Sequence, residues 1–356
     1  METATLTIPV QKTAKSRISE IDFSHLQFGK NFSDHMFITE FKNGTWQNPR
    51  IIPFQKLDLG PSSAVIHYGQ SIFEGMKAYK NEKGNVLLFR PLDNFKRLNK
   101  SAVRMCMPEL PEELFMEGLK NLVLTDKDWV PQQVGSSLYI RPFMFASDEF
   151  IGVRASDNYT FVIITSPVGV YYNEAVKVLV ENNYTRAVTG GVGFVKAAGN
   201  YGRSLYPAKK AQELGYHQLI WTDAFEHKYI EESGTMNVMF VIGDTLVTPP
   251  ISTTILAGVT RDSVLTIARD MGISVEERRV SIDELVYAHE QGLLNDAFGT
   301  GTAATIAHIA LIGYKGHDYV LPPVETRNFS NKIKEELQKI RLGISPDIHK
   351  WVMKIN

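Results

Sequence analysis

The chain has 356 residues, 44% of them apolar, enough to bury one or two sizeable cores, and two domains are expected. Its 38 basic and 39 acidic residues leave a formal charge of −1, which argues against nucleic acid or a membrane surface as the principal partner. The single cysteine, Cys106, excludes a disulfide within the chain, and no apolar run approaches membrane-spanning length.

Residues 1 to about 35 are polar and predict a meandering segment. METATLTIPVQKTAKSR resembles a transit peptide only weakly, being short with one arginine, so a soluble cytoplasmic protein is the expectation. From Met36 the pattern turns to strands. MFITEFKNGTW places Asn-Gly between alternating residues, the signature of a hairpin, and SAVIHYGQSIFEGMKAYKNEKGNVLLFR continues as strands with a turn at Lys83-Gly84-Asn85. RPLDNFKRLNKSAVRMCM then takes up the helical period, and Cys106 is expected on its apolar face with Phe95, Leu98, Ala102 and Met105. A second helix is expected around Glu112–Leu124, followed by strands in SLYIRPFMF and YTFVIITSPVGVYY.

Residues 172–189 read as the connection between a smaller α+β domain, 1–171, and a larger α+β domain, 190–356. The second half offers a helix in SLYPAKKAQELG, a strand in HQLIWT and a turn at Glu231–Gly234 leading into NVMFVIGDTLVTPP. Helices follow in GVTRDSVLTIARDMG and SIDELVYAHEQGLL. DAFGTGTAATIAHIALIG combines a Gly-Thr turn with flanking strand, and a helix over about Phe329–Leu342 is expected to close the chain.

The stretch Gly190–Arg203, GGVGFVKAAGNYGR, sets Lys196 among small and apolar neighbours. Such a setting desolvates an ammonium, and a neutral amine is a nucleophile that can attack a carbonyl, including the aldehyde of pyridoxal phosphate. A solvated loop lysine among turn glycines would carry the same residues. Gly258-Val259-Thr260, just before a helix, and the turn Gly299–Ala303 are two candidate anion sites, although Gly and Thr are ordinary at such places. Glu231 and Glu232 precede a Gly turn, where a carboxylate could hold a pyridine nitrogen protonated or simply be solvated. Arg97 sits in a basic run with Lys96, Lys100 and Arg104, a wet face or a phosphate clamp. There is no zinc-type Cys/His spacing, Walker lysine motif or Gly-x-Ser-x-Gly elbow, so no metal site is expected.

Taken together and in order, the segments from about Gly44 onward resemble the branched-chain amino acid aminotransferases, pyridoxal-phosphate enzymes of fold type IV. The resemblance is carried by HYGQSIFEGMKAY, LFRPLDNFKRLNKSA, SLYIRP, VKAAGNYG, EESGTMNVMF, LAGVTRDS and FGTGTAATIAHI. It implies a two-domain α+β fold, the cofactor pyridoxal 5′-phosphate, and reversible ping-pong transfer of an amino group between L-leucine, L-isoleucine or L-valine and 2-oxoglutarate. It assigns Lys196 as the Schiff-base lysine, Tyr201 to the cofactor's phenolic oxygen and Glu232 to its ring nitrogen. Arg97, Val259, Thr260 and Thr302 would hold the phosphate. Phe73, Tyr139 and Tyr171 would line the side-chain pocket, Thr235 and Ala303 seat substrate, and Arg141 lie near the substrate carboxylate. Tyr68 and Val153 would reach the neighbouring subunit's site in a homodimer. Ala257 and Ala198 replace a common proline and glycine, and GTAATIA lacks the paired cysteines of mammalian members. A D-amino acid aminotransferase, an aminodeoxychorismate lyase, and an inactive phosphate-binding homologue are the rival readings.

Overall fold

A computed structural model describes residues 6–172 and 174–355. The first five residues of the N-terminal segment, and Asn173 in the expected interdomain connection, lie outside the described residues. The chain divides into two compact units, Met1–Tyr171 with Lys196–Ala198 and Ile340–Asn356, and Tyr172–Val195 with Gly199–Lys339. The sequence expectation put all of residues 190–356 in the second domain. The three residues beginning at the candidate lysine, and the C-terminal tail, instead make their contacts with the first unit.

The first unit is an antiparallel sheet backed by two helices. Strands β1 (His35–Lys42) and β2 (Thr45–Pro53) form the expected hairpin, with Asn43 and Gly44 both at positive φ, 52° and 76°. The rest of the sheet comprises β3 (Ser71–Phe73), β4 (Met76–Lys80), β5 (Val86–Phe89), β6 (Ser137–Ala146), β7 (Tyr159–Val168) and the terminal Val352–Ile355. Helices Pro91–Arg104 and Glu112–Thr125 cover one face. In the second of these, Glu112 and Glu113 occupy the first turn, where the helix dipole favours acid. Its Leu114, Phe115, Leu119 and Leu122 recur at helical spacing, and Phe115 joins Phe37 and Phe161 in a core with no exposure. Truncating any of these rings to alanine costs about 3–5 kcal/mol.

Four local expectations are corrected. Ala64–Tyr68 is one helical turn, closed by Gly69 at φ 63°, rather than strand. Cys106 lies past the helix end at Arg104, with φ 53°, and is exposed rather than part of the core. Glu231 and Glu232 belong to a strand, Ile230–Ser233, and the turn falls at Gly234–Thr235. The chain ends in a strand, Val352–Ile355 paired with Val86–Phe89, beyond the helix Asn328–Arg341.

The second unit is a mixed sheet. Its strands run in the order Ile230–Ser233, Gln218–Thr222, Val176–Val180, Thr305–Tyr314, Leu294–Gly301, Met236–Ile242, Thr245–Thr248 and Ser274–Glu277, with His317–Val320 on Thr305–Tyr314. Val178, Val238, Phe240, Ala297 and Ile309 form the centre of its core. Helix Ile282–Glu290 starts as expected, with the Ser281 hydroxyl accepting from the Glu284 amide at 3.1 Å.

Candidate active site

In the first unit, Lys196 is fixed through its backbone. Its amide donates to Ser101 Oγ at 3.1 Å, and its carbonyl accepts from the Phe73 amide at 3.1 Å. The Ala198 amide donates to the Ser71 carbonyl at 3.0 Å, so the segment runs beside β3. The half-buried side chain lies with Nζ 4.7 Å from the centroid of the Phe73 ring. Ser101 Oγ in turn donates to the Arg97 carbonyl at 2.9 Å, one helical turn back. Arg97 is not on a wet face. It is 9% exposed and sets Nε and Nη2 on the two oxygens of the fully buried Glu74, at 2.7 and 2.9 Å. This fork fixes the guanidinium plane.

Phe73 also lies beneath Arg141, whose guanidinium carbon is 4.6 Å from the ring centroid. Arg141 Nη2 donates to Tyr139 Oη at 3.0 Å. Gly75 makes room for that phenol, since a Cβ there would stand 2.2 Å from Tyr139 Oη. Phe28 packs edge-on against both Tyr139 and Tyr171, with centroids 4.9 Å away in each case. Burial raises the Tyr171 phenol above its ordinary value, with the nearby Tyr139 adding to the effect. Lys196, Phe73, Arg141, Tyr139, Phe28 and Tyr171 thus form one aromatic wall with two cations. Tyr68 and Val153 are exposed instead, 40% and 91%.

In the second unit, Tyr201, Glu232, Gly234 and Thr235 line one narrow cavity together with Arg186, Asn200 and Leu256. Glu232, 3% exposed, accepts from the Leu256 amide at 2.9 Å and from Asn237 Nδ2 at 3.2 Å. Arg186 Nε stands 2.6 Å from its other oxygen. Asn237 also donates to the Leu256 carbonyl at 2.8 Å, and a Cβ on Gly258 would meet Asn237 Oδ1 at 2.0 Å. The tight packing of Gly258 on Asn237 therefore ties Glu232 to the start of helix Val259–Asp270. That helix has Gly258 as its N-cap, which brings no side chain to the first-turn amides of Val259 and Thr260, the arrangement that receives an anion. Beside Asn237 in the sheet register, Thr300 Oγ1 is buried with no hydrogen-bond partner among the described residues, and Thr302 and Ala303 follow in the turn before Thr305.

Pyridoxal phosphate fits these donor sets. Taken unit by unit, the amine beside an aromatic ring in the first suits its aldehyde, while in the second the buried carboxylate suits its pyridinium, and the glycine-capped helix start and the Thr300 hydroxyl suit its phosphate. The residues that sequence reasoning missed are Glu74, Arg186, Asn237 and Phe28. Phe28, followed by Gly29 at φ 70°, is one of three phenylalanines, with Phe23 and Phe32, in this stretch, and nothing in the sequence singles it out.

The amino-transferase class IV family model matches residues 71–311, which span Lys196 and every residue of the second-unit cavity. The chain belongs to this family and has its fold type IV, α+β architecture. It is 48% identical over 339 residues, 94% of this chain and 95% of the other, to branched-chain-amino-acid transaminase 1 of Bacillus subtilis strain 168. A branched-chain aminotransferase of Thermoproteus uzoniensis solved with norvaline is 28% identical with a TM-score of 0.76, covering 90% of this chain and 100% of that one. The T.th. branched-chain amino acid aminotransferase solved with pyridoxamine 5′-phosphate is 25% identical with a TM-score of 0.72, covering 89% and 98%.

Proposed function

We propose that this chain is a branched-chain amino acid aminotransferase, using pyridoxal 5′-phosphate to move an amino group reversibly between L-leucine, L-isoleucine or L-valine and 2-oxoglutarate. The observation that carries the reading is the wall of Phe73, Tyr139, Phe28 and Tyr171 beside Lys196 and Arg141. An apolar wall suits an aliphatic side chain, whereas one arginine answers a carboxylate. The branched-chain transaminase relative, matched over nearly its whole length, favours this reading over the D-amino acid and lyase alternatives.

When bound, the cofactor supplies an aldehyde for the amine and a ring that draws electrons from the substrate Cα. Lys196 would hold the cofactor through its aldehyde and, once freed, would be the base that moves the substrate Cα proton. Glu232, paired with Arg186, would face the ring nitrogen and favour its protonated form. Tyr201, in the lining of the same cavity, would donate to the phenolic oxygen. In the second unit Val259, Thr260 and Thr302 would bind the cofactor's phosphate; Arg97, oriented by Glu74 in the first unit, is the cation that the family resemblance assigns to the same group. Thr235 and Ala303 seat the substrate.

One methylene in such a pocket changes binding by only about 1–3 kcal/mol. Leucine, isoleucine and valine should therefore all react, with aspartate and D-alanine poor. A substrate screen tests this, and preference for a D-amino acid would reassign the enzyme. The active form is a homodimer, supported by the apolar tip at Phe150, Ile151 and Val153, which are 45%, 69% and 91% exposed. Among the described residues no helix is long and apolar enough to cross a membrane.

A further inference from the structure

Glu232 has a neighbour that the mechanism does not use. Glu231 is 8% exposed and sits where the strand Ile230–Ser233 slips register, Ile230 facing Thr222 but Glu232 facing Trp221. It is the extra residue of a bulge, a feature that re-aims side chains. Its Oε1 accepts from Thr254 Oγ1 at 2.5 Å, and its Oε2 is buried with no hydrogen-bond partner among the described residues.

Among the described residues, the charges that weigh most on Glu231 are one cation and two acids. Arg186 is the cation, and it is already committed: Nε to Glu232 Oε2 at 2.6 Å, Nη2 to the carbonyls of Gly193 and Thr254 at 3.0 and 2.9 Å. The other two are Glu232 and Asp223, both repelling a second carboxylate. Asp223 is itself occupied by the amides of Phe225, Glu226, Lys228 and Tyr229. From the segment packed against Glu231, the Thr254 hydroxyl, bonded in turn to Ser252 Oγ at 2.9 Å, donates to it. A buried charge with one donor is costly, whereas a buried neutral acid missing one bond costs far less. Burial accordingly pushes the Glu231 carboxyl from its ordinary 4.5 to about 7.

We propose that Glu231 is a positioning residue for Glu232, acting as a neutral carboxylic acid that anchors Thr254 and leaves Arg186 to its neighbour. The proposal rests on Glu232 being the partner of the cofactor's ring nitrogen. The route is short. Thr254 lies two residues before Leu256, whose amide is aimed at Glu232 Oε1 and whose carbonyl holds Asn237. Holding Thr254 holds both donors on Glu232. Ionising Glu231 adds a negative charge that competes for Arg186 and repels Glu232.

The test uses Glu231→Gln, Glu231→Ala, Thr254→Val and Glu232→Gln in the full chain. Pyridoxal phosphate affinity is read by equilibrium dialysis, and thermal midpoints are read on cofactor-free protein. Glutamine keeps an acceptor for Thr254, so its affinity should stay within about twofold of wild type at pH 6, as a neutral isostere should. Alanine and Thr254→Val each break the anchor and should weaken affinity about tenfold at pH 6, where the wild-type acid is neutral, the loss of roughly one buried hydrogen bond. The folded state binds the Glu231 proton more tightly than the unfolded chain. That contribution is complete below about pH 4.5 and is lost as pH rises through about 7. The midpoint of Glu231→Gln should therefore rise relative to wild type between pH 5 and 8.

A difference that stays flat with pH overturns the neutral acid. Wild-type affinity in both Glu231→Ala and Thr254→Val, with Glu232→Gln impaired, overturns the positioning role alone. Unchanged affinity in Glu232→Gln removes the ring-nitrogen reading and the proposal with it. Should the alanine variant fail to fold, Thr254→Val carries the same comparison.

Discussion

Arg186 Nε lies 2.6 Å from Glu232 Oε2, and its Nη2 reaches the carbonyls of Gly193 and Thr254. One guanidinium thus joins the loop leading to Lys196, the segment before helix Val259–Asp270, and the carboxylate proposed to face the ring nitrogen. Both partners of the pair are under a tenth exposed. Removing one member of such a buried pair leaves an uncompensated charge, and Arg186→Ala should destabilise the protein by about 3–5 kcal/mol. Denaturant unfolding checks this. Arg186→Lys should recover only part of the loss, since a single ammonium cannot reproduce the fork.

Lys196→Ala should abolish amino transfer while leaving the fold intact, because the contacts fixing the segment are backbone ones to Ser101, Phe73 and Ser71. Normal turnover in that variant would remove the lysine from the chemistry. Unchanged circular dichroism and thermal midpoint are expected alongside the loss.

Gly75→Ala tests the substrate wall. The added Cβ would lie 2.2 Å from Tyr139 Oη, so the phenol must move and release Arg141 Nη2. Loss of positioning at the carboxylate should raise the KM for 2-oxoglutarate on the order of tenfold with a smaller change in kcat. An unchanged KM would place Arg141 outside substrate recognition.

Much of the fold was legible because its signals are local. Asn43-Gly44 announces a hairpin, Ser281 a helix start, and the apolar spacing of Leu114, Phe115, Leu119 and Leu122 a buried helix face. The last strand, Val352–Ile355, has only four residues, too few for an alternation to stand out, and its partner is Val86–Phe89 far back in the chain. The site divides in the same way. Lys196 is marked by its own glycine-rich surroundings. Glu74, Arg186 and Asn237 look like any surface polar residue until register and packing bring them onto Arg97 and Glu232. Glu231 was hidden twice, since a bulge decides its direction and burial decides its charge.

His308 should confer sensitivity to acid. It is 8% exposed, and burial, with Lys334 and Arg327 nearby, pushes its imidazole down from 6.5 to about 4. A depressed pKa stabilises the native state above pH 6.5 and loses that contribution as pH falls through about 4. His308→Gln should lose less stability than wild type between pH 6.5 and 4, measured by urea unfolding. Parallel pH profiles would show that His308 does not titrate as described.

The shared-site homodimer can be decided by mixing. Lys196→Ala and Val153→Asp, each expected to be inactive alone, are unfolded and refolded together. If Val153 serves the partner's site, hybrid dimers hold one intact site, and random pairing restores up to roughly a quarter of wild-type activity. No recovery would assign Val153 to its own subunit's site.

The most direct measurement is a single half-reaction. Purified protein loaded with pyridoxal phosphate is mixed with L-leucine in the absence of any oxo acid, and the yellow absorbance is followed together with released product. The yellow band should be lost and about one equivalent of the branched 2-oxo acid released per subunit, with Lys196→Ala inert. A band that persists with L-leucine, or is discharged by D-alanine instead, would contradict the proposed function.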